Sequence, residues 1–271
     1  MNARKMIKLL VPKGLFGVMA PYGHWVESVI YNVAYGFPAR GMKVVGITGT
    51  NGKTSTSFIV HRMLHEAGYK TGLMTTAAYG VGDDIRDQKE HMTNMPIPVL
   101  MKRLKWMRQE GVEWLVLETT SHALVQHRTG GVRYSVGVLT NITHEHLDYH
   151  KTFERYVAAK QILFRRVQRN TKGLQTGIAN ADDRSGASFM ALTEHSVSYG
   201  ISAGDVRATN IKLDASGIHY VAKASDETYQ IASSLPGNFS VYNTLAALCV
   251  GRAVGLSREQ IEQGIAALQS V

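Results

Sequence analysis

The sequence predicts an α/β fold: a P-loop-type, mainly parallel sheet flanked by helices, with a small antiparallel β meander after it. Between about residues 43 and 200, apolar strand-like segments alternate with segments of helical periodicity. A glycine-rich turn within residues 46–57 (GITGTNGKTSTS) joins the first of these strands to the first helix. Between residues 206 and 231, apolar residues instead alternate with polar ones, as in antiparallel strands.

The elements follow from the spacing of apolar residues and from the turn residues between them. Strands are predicted at residues 44–48, 71–75, 114–118, 136–141, 175–180 and 196–199. Helices are predicted at residues 54–67, 98–110, 153–166 and 183–191. After the meander come a helix from about 241 to 254 and a last helix, capped by Ser257, that runs to Leu268. Ligands of such sheets bind beyond the carboxyl ends of the strands, so polar residues there are the candidates for function.

The domain organisation predicted is a short N-terminal lead-in, residues 1–40, followed by one large domain, residues 41–271. A helix is predicted within the lead-in at residues 25–33. The lead-in is too short to form a domain of its own. No uninterrupted apolar segment reaches membrane-spanning length, so we expect no membrane partner. Cys249 is the only cysteine, which excludes a disulfide framework and favours a cytoplasmic setting.

The formal net charge of +9 raises the question of nucleic-acid binding. However, the basic residues are scattered along many elements and are not interleaved with aromatic residues. A basic surface also attracts small polyanions. We therefore expect a nucleotide as partner, and no nucleic acid.

The glycine-rich turn predicts a phosphate-binding loop. Backbone N–H groups and the positive end of a helix dipole meet at such a turn, and Gly49 and Gly52 can adopt the conformations that it requires. Lys53 is placed to reach the outer phosphates and Thr54 to bind magnesium through its hydroxyl. The pattern GxxxxGK[ST] would place glycine at position 47, where this chain has Ile47, so the motif is a variant. A polar turn with an exposed lysine is the alternative interpretation.

Two further strand ends carry polar groups. Glu118 ends the segment WLVLE, where a carboxylate can bind magnesium, and His122 follows as a neutral imidazole or a second ligand. The next strand leads into a cluster of titratable residues, namely His144, Glu145, His146, Asp148 and His150. We interpret this cluster as part of a magnesium and phosphate site with His146 as ligand. A zinc hydrolase built on the three histidines is the rival hypothesis.

These motifs resemble those of the Mur ligase family, which uses ATP to join an amino acid or peptide to an acyl group. The loop alone would also fit folylpolyglutamate and cyanophycin synthetases. The segments ETTSHAL, TNITHEHLDYH, YVAAKQILF and LPGNFSVYNTLAA narrow the choice, because they are similar in order and spacing to motifs of the UDP-N-acetylmuramoyl-tripeptide synthetases within that family. The similarity covers roughly residues 40–271. The departures are Thr119 and Thr120 for Val-Ser, Glu145 for Asp, and Asn238 and Ser240 for Arg and Asn.

The resemblance implies a central ATP-binding domain of a ligase that forms an amide bond between a UDP-muramoyl-peptide carboxylate and an amino acid, through an acyl phosphate, in peptidoglycan precursor synthesis. It implies ATP and two magnesium ions as cofactors. Thr54 and Glu118 would hold the first ion and His146 the second, while Lys160 would be carbamylated and supply anionic oxygens. The catalytic residues would be Lys53, Glu118, His146 and Lys160. The nucleotide-binding residues would be Thr48, Gly49, Thr50, Asn51, Gly52, Lys53, Thr54, Ser55, Asp182, Asp183 and Asn243. The residues that contact the acyl substrate would be Thr93, Asn94, Ser121 and His122.

Family members also have an opening domain that grips the UDP group and a third domain that binds the incoming amino acid. We expect the first to be missing or vestigial here and the C-terminal ligase domain to be absent. The alternative to a self-sufficient ligase is therefore a nucleotide-binding module that works with a partner chain.

Overall fold

The computed structural model describes residues 13–88, 95–143, 145 and 147–270. The helices are α1 (Lys13–Ala34), α2 (Lys53–Glu66), α3 (Ile97–Gln109), α4 (Ser121–Val125), α5 (Leu147–His150), α6 (Phe153–Gln168), α7 (Gly186–Met190), α8 (Asn238–Val254) and α9 (Arg258–Ala266). The strands are β1 (Lys43–Thr48), β2 (Thr71–Met74), β3 (Ala78–Val81), β4 (Asp84–Asp87), β5 (Trp114–Glu118), β6 (Tyr134–Leu139), β7 (Thr176–Asn180), β8 (His195–Gly200), β9 (Val206–Asp214), β10 (Gly217–Lys223) and β11 (Thr228–Ser233).

All of these strands form one sheet of 11 strands in the order β11-β10-β9-β8-β7-β6-β1-β5-β2-β3-β4. The pairs from β2 through β5, β1, β6, β7 and β8 to β9 are parallel. The pairs at the two ends, β2-β3-β4 and β9-β10-β11, are antiparallel. Because β1 lies in the centre of the parallel part, the loop after it opens at the carboxyl edge, between the ends of β5 and β6.

The predicted α/β class, with its mainly parallel sheet and its meander, is confirmed. Each strand predicted between residues 44 and 199 is present within two residues of its expected bounds. The hairpin β3-β4 was not predicted, and α1 is longer than expected because it begins at Lys13. The meander continues the main sheet, since β9 pairs with β8 in parallel through Tyr199 and Val206.

Helices cover both faces of the sheet, and the side chains of β1 alternate between the two cores. Val45 and Ile47 pack in one core, with residues of α2, α8 and α9. Val44 packs in the other, with residues of α3 and α6. A strand with apolar residues on both faces is typical of a parallel sheet covered by helices, so this packing fixes the position of the loop that follows.

The meander shares the first of these cores. Tyr220 of β10 and Ile231 of β11 are buried in the same cluster as Val45. The hydroxyl of Tyr220 is also within 2.9 Å of the Thr244 hydroxyl of α8. The meander and the parallel part are therefore packed as one unit through α8.

The outer strands of the sheet carry charged groups. In β4, Asp84 and Asp87 are exposed and Asp84 pairs with Arg86. At the other edge, α9 packs beside β11, and the Glu262 carboxylate of α9 accepts a hydrogen bond of 2.7 Å from the backbone N–H of Gln230. Within the described ranges, no helix combines the length and the apolar character needed to cross a membrane.

Candidate active site

The phosphate-binding loop predicted from the sequence connects β1 to α2 and is shaped by two glycines. A Cβ on Gly49 would lie 1.8 Å from the Thr140 hydroxyl oxygen, so no side chain fits there. Gly52 precedes the first residue of α2 with a φ of 81°, a left-handed conformation that favours glycine. The loop therefore packs closely against the end of β6. Its last residue, Gly52, leads directly into the first turn of α2.

The end of β6 holds this loop in place through hydrogen bonds. The Asn141 carboxamide accepts from the backbone N–H of Asn51 at 3.0 Å and donates to its carbonyl at 3.0 Å. The Thr140 hydroxyl donates to the same carbonyl at 2.6 Å, and the Thr50 N–H donates to the Asn141 carbonyl at 2.7 Å. Because Thr140 and Asn141 satisfy these backbone groups with hydrogen bonds, the loop is held in one conformation before any ligand binds.

Glu118 and Thr54, which the sequence suggested for one magnesium ion, lie together. The Thr54 hydroxyl donates a hydrogen bond of 2.9 Å to the Glu118 carboxylate. The same carboxylate accepts from the backbone N–H of Thr76 at 3.1 Å. Because β1 and β5 are parallel neighbours, the carboxylate at the end of β5 reaches the first turn of the helix that follows β1.

Two lysines approach the loop from different elements. The Lys53 ammonium donates to the Thr50 carbonyl at 2.7 Å, and Lys160 of α6 donates to the Gly49 carbonyl at 2.7 Å. Lys160 is only 1% exposed. Its burial, and then the positive charge of Lys53, hold the pKa of Lys160 well below its usual value. A lysine with such a pKa carries a neutral amine for a larger part of the time than an exposed lysine does.

These groups border one cavity of about 360 Å³ at the carboxyl edge of the sheet. Its lining residues are Gly49, Lys53, Thr54, Thr76, Ala77, Glu118, Thr120, Ser121, Tyr156 and Lys160. The Tyr156 hydroxyl lies 3.2 Å from that of Thr50 and closes one side of the loop. The cavity thus combines two lysine side chains, one carboxylate and several hydroxyls.

The donors in this cavity suit magnesium. Thr54 and Glu118 offer hard oxygen ligands, and magnesium keeps several waters and shares its remaining positions with phosphate oxygens. Among the residues that the structure describes, no group of three or more His, Cys, Asp or Glu side chains could hold a metal ion. Thr54 and Glu118 supply two oxygen donors side by side, which leaves the remaining positions of a magnesium ion to waters and phosphate oxygens.

The predicted substrate residues that the structure describes lie on the far side of Glu118. The Ser121 hydroxyl, which lines the cavity, is 2.9 Å from Nε2 of His150. The His122 ring packs 4.3 Å from the Tyr149 ring and 5.3 Å from the His150 ring, measured between centroids. Ser121 is thus brought to the site, whereas His122 belongs to an aromatic cluster beside it.

The three residues predicted near the nucleotide from outside the phosphate-binding loop do not line the cavity. The Asp182 carboxylate accepts hydrogen bonds from the backbone N–H groups of residues 201–203 and from the Tyr242 hydroxyl. Asp183 accepts from the Ile142 N–H at 2.6 Å, next to the segment that holds the loop. Asn243 of α8 accepts from the Thr56 hydroxyl at 3.3 Å and lies against Gly52. Their contact with a nucleotide stays a prediction.

The remaining predicted positions fall in two groups. Thr48 ends β1 with its side chain fully buried, and Ser55 lies in the first turn of α2. Thr93, Asn94, His144 and His146 lie outside the described residues. The roles of Thr93, Asn94 and His146 therefore stay predictions, as does the zinc site of the rival hypothesis.

Sequence reasoning missed several residues at the site. Thr76 contacts the Glu118 carboxylate, Tyr156 contacts the loop, and Asn141 holds it. Two signals were available. Asn141 ends a predicted strand at the carboxyl edge. Tyr156 precedes Lys160 by one helical turn, so the side chains of Tyr156 and Lys160 share a face of α6.

Comparison with known proteins gives a consistent result. The sequence profile of the family described as Mur ligase middle domain matches residues 47–251. A UDP-N-acetylmuramoyl-L-alanyl-D-glutamate–2,6-diaminopimelate ligase of Bacillus velezensis is 39% identical over 248 residues, which is 90% of this chain and 50% of that protein. The chain spans about half the length of the curated relatives it matches.

Solved structures show the same fold. The structure of a UDP-N-acetylmuramoyl-L-alanyl-D-glutamate–2,6-diaminopimelate ligase superposes with a TM-score of 0.79 at 21% identity, covering 93% of this chain and 51% of that one. MurF ligase from Thermotoga maritima, solved in complex with ADP, gives a TM-score of 0.70 at 20% identity, and the match covers 90% of this chain and 52% of that one. With the profile matching most of its length, the chain belongs to the Mur ligase family and contains the middle domain of that family.

Proposed function

We propose that this chain supplies the ATP-binding and phosphoryl-transfer centre of a ligase that forms an amide bond between a UDP-muramoyl-peptide carboxylate and an amino acid, in peptidoglycan precursor synthesis. The observation that carries the proposal is the cavity in which Thr54 and Glu118 share a hydrogen bond beside Lys53 and Lys160. The name of the Bacillus velezensis relative supports this substrate class and makes 2,6-diaminopimelate the first amino acid to test.

The reaction has two steps. A carboxylate oxygen of the acyl substrate attacks the γ-phosphorus of ATP, an oxygen–phosphorus bond forms, and the bond to the ADP oxygen breaks. The amine of the amino acid then attacks the acyl carbon, phosphate leaves, and the amine loses a proton. The N–H groups of the loop and the Lys53 ammonium orient the phosphates and stabilise the negative charge on the transferring group.

Thr54 and Glu118 would hold magnesium, which supplies further positive charge at the phosphates when it is bound. His146 is proposed as a ligand of a second ion on the resemblance of its motif. Ser121 is proposed to hold the acyl substrate, because its hydroxyl lines the cavity next to Glu118. Because the reaction consumes ATP, the cytoplasm stays the expected compartment.

Lys160 is proposed to be carbamylated. The neutral amine attacks carbon dioxide, a nitrogen–carbon bond forms, one nitrogen-bound proton leaves, and a carbamate anion results. The lowered pKa of the buried Lys160 supports this step, because the neutral amine is the reactive form. The carbamate would place a negative charge beside Lys53 and present oxygen atoms to the cavity.

Carbamylation can be tested by ¹³C NMR of the protein equilibrated with ¹³C-bicarbonate. We expect a carbamate resonance in the wild type that is lost in Lys160→Ala and kept in Lys102→Ala, whose lysine is exposed on α3. A spectrum that is the same in wild type and Lys160→Ala would contradict the assignment.

The nucleotide site can be tested by calorimetric titration with ATP and magnesium. We expect Lys53→Ala to weaken ATP binding by about tenfold or more, because hydrogen bonds to charged groups contribute about 1.5–3 kcal/mol. Lys102→Ala should bind as the wild type does. Equal affinity in wild type and Lys53→Ala would remove the proposal.

Whether the chain ligates alone is a separate question. UDP-muramoyl-dipeptide, ATP, magnesium and a panel of amino acids that includes 2,6-diaminopimelate should yield product if the chain is self-sufficient. ATP binding without product, restored on adding a second chain that co-elutes in size exclusion, would favour the alternative of a module that needs a partner.

A further inference from the structure

The second half of α1 presents an apolar face to solvent. Its exposed side chains are Trp25 at 54%, Val26 at 47%, Val29 at 46%, Ile30 at 58% and Val33 at 62% exposure. They recur at intervals of three and four residues, so they form one stripe along the helix. Contiguous apolar stripes of this kind on a protein surface mark an interaction site.

The most deeply buried side chains in the second half of α1 are polar. Ser28 is 2% exposed and Asn32 is 4% exposed. The Asn32 carboxamide donates hydrogen bonds to the Gly130 carbonyl at 2.9 Å and to the Ser28 carbonyl at 2.8 Å. Tyr31 also packs against the core that contains Val44. A helix on a globular protein normally turns its apolar side inward, so the exposed apolar stripe of α1 is unusual.

A cationic cleft of about 480 Å³ lies beside the end of α1. Four of its lining residues, Arg40, Lys43, Arg133 and Lys172, are basic, and none of its lining residues is acidic. Its position next to the end of the helix follows from the turn after α1, in which the Phe37 N–H donates to the Asn32 carbonyl and the Arg40 N–H donates to the Phe37 carbonyl. One short turn therefore connects the helix that carries the apolar stripe to the cationic cleft.

We propose that this region binds the surface of a membrane that contains anionic phospholipids. The apolar stripe of α1 lies in the boundary between headgroups and acyl chains, and the cationic cleft binds lipid phosphate groups. Trp25 at the stripe suits this boundary, where aromatic side chains are favoured. The sequence predicted no membrane partner because no apolar segment is long enough to span a membrane. A helix that lies in the membrane surface does not need such a segment.

A second copy of the chain is a poorer occupant of this face. Two copies meeting through α1 would bring two cationic clefts together, and each chain has a formal net charge of +9. Anionic lipid, by contrast, complements both the apolar stripe and the cleft. The proposal is independent of the ligase reaction.

The apolar stripe can be tested by co-sedimentation with vesicles of phosphatidylcholine and phosphatidylglycerol, and by tryptophan fluorescence. The wild type should bind these vesicles, and its emission should shift to shorter wavelength as Trp25 leaves water. Ile30→Gln combined with Val33→Gln should weaken binding about tenfold or more, because each change removes one aliphatic side chain from the apolar phase. The matched control is Leu213→Gln, which changes an aliphatic side chain that is 46% exposed on β9.

The cleft can be tested with the same vesicles. Lys43→Gln combined with Lys172→Gln should weaken binding, and so should raising the salt concentration or omitting phosphatidylglycerol. Lys212→Gln on β9 should bind like the wild type. Circular dichroism checks that each variant is folded, which we expect because the altered stripe positions are exposed.

Three results would overturn the proposal. The first is that the wild type does not bind the anionic vesicles, and the second is that the Ile30→Gln, Val33→Gln variant binds them as tightly as the wild type. The third is self-association in sedimentation velocity without vesicles that this variant abolishes, which would assign the stripe to a second copy. Loss of ATP binding in Lys53→Ala, with vesicle binding unchanged, would leave the proposal intact.

Discussion

Glu118 shows how one residue can serve both folding and function. Its carboxylate accepts hydrogen bonds from Thr54 and from the Thr76 backbone, and so it joins the ends of β2 and β5 to the start of α2. Structural hydrogen bonds need only an acceptor oxygen, whereas magnesium binding needs the negative charge. An isosteric substitution can separate these two roles.

We predict that Glu118→Gln leaves thermal stability nearly unchanged and abolishes the gain in ATP affinity that magnesium provides. The amide oxygen can still accept the two hydrogen bonds, but the charge is gone. ATP titrations with and without magnesium, together with thermal unfolding, measure the two effects. Glu113→Gln is the control, because Glu113 accepts a backbone N–H from Lys70 but is exposed, away from the cavity. A magnesium effect that persists in Glu118→Gln would contradict the assignment.

His61 makes stability depend on pH. Burial is the main reason that its pKa is lowered from 6.5 to about 4. The unfolded chain therefore binds this proton at a higher pH than the folded chain, and stability decreases as pH falls from about 6.5 towards 4. We predict that this group alone reduces the free energy of unfolding by about 2 kcal/mol between pH 7.5 and pH 5.

Urea unfolding of the wild type and of His61→Gln at these two pH values tests this prediction. The variant should lose less stability than the wild type on acidification. His195→Gln, at an exposed position on β8, should follow the wild type. Equal pH dependence in the wild type and His61→Gln would show that His61 is not the group responsible.

Residue types predicted the centre of the site better than its periphery. Lys53, Thr54 and Glu118 could be placed together from the sequence, because strand ends in a parallel sheet meet at one edge. Thr76 and Tyr156 could not be placed in this way, since their contacts depend on the register between elements. That Lys160 is buried follows from the packing of α6 on the sheet, which periodicity alone does not specify.

At the scale of elements, the turn from β1 to α2 depends on one left-handed residue packed against another helix. Gly52 has a φ of 81°, and a Cβ there would lie 2.4 Å from the Asn243 carboxamide oxygen of α8. Gly255, which ends α8, has a φ of 89° with open space around it. The two glycines have similar φ angles, but only Gly52 has a neighbouring side chain that a Cβ would meet.

We predict that Gly52→Ala destabilises the fold more than Gly255→Ala and also weakens ATP binding. The left-handed conformation alone costs alanine about 1 kcal/mol, which is the expected effect at Gly255. At Gly52 the collision with Asn243 adds to this strain and displaces the start of α2. Denaturant unfolding and ATP titration of both variants measure the difference. Equal stability losses with unaltered ATP affinity would contradict it.

Long periodic elements were predicted well and short ones were not. Helix α6 shows clear periodicity, so its start at Phe153 was predicted correctly. Helices α4 and α5 are too short to show a period. The hairpin β3-β4 has glycines at positions 80 and 82 and few β-branched residues, so its formation depends on pairing with β2 more than on local preference.

At the scale of the molecule, the meander and the parallel sheet share one core. Ile231 is 2% exposed, in the same cluster as Val45 of the central strand. The sequence predicted the meander but not its pairing with the main sheet, because a change from helical to alternating periodicity shows that strands begin but not which neighbour they pair with. The continuity arises from the pairing of β8 with β9.

We predict that Ile231→Ala lowers the stability of the whole chain and not only that of the meander. Removing a buried isoleucine side chain costs about 2–5 kcal/mol. Because the core is shared, unfolding followed by far-ultraviolet circular dichroism and by tryptophan fluorescence should shift together. Leu213→Ala, at a position that is 46% exposed, should change stability by less than about 0.5 kcal/mol. Two separate transitions would show that the meander unfolds independently.

The charged ends of the sheet have a consequence for the behaviour of the chain at high concentration. An outermost strand with unpaired backbone groups can recruit a strand from another molecule and start an aggregate. Here β4 exposes aspartates, which repel an incoming copy, and Glu262 occupies the Gln230 N–H that β11 would otherwise offer. Both edge strands are therefore protected against pairing with a strand of another molecule, and we expect the chain to resist this type of aggregation at high concentration.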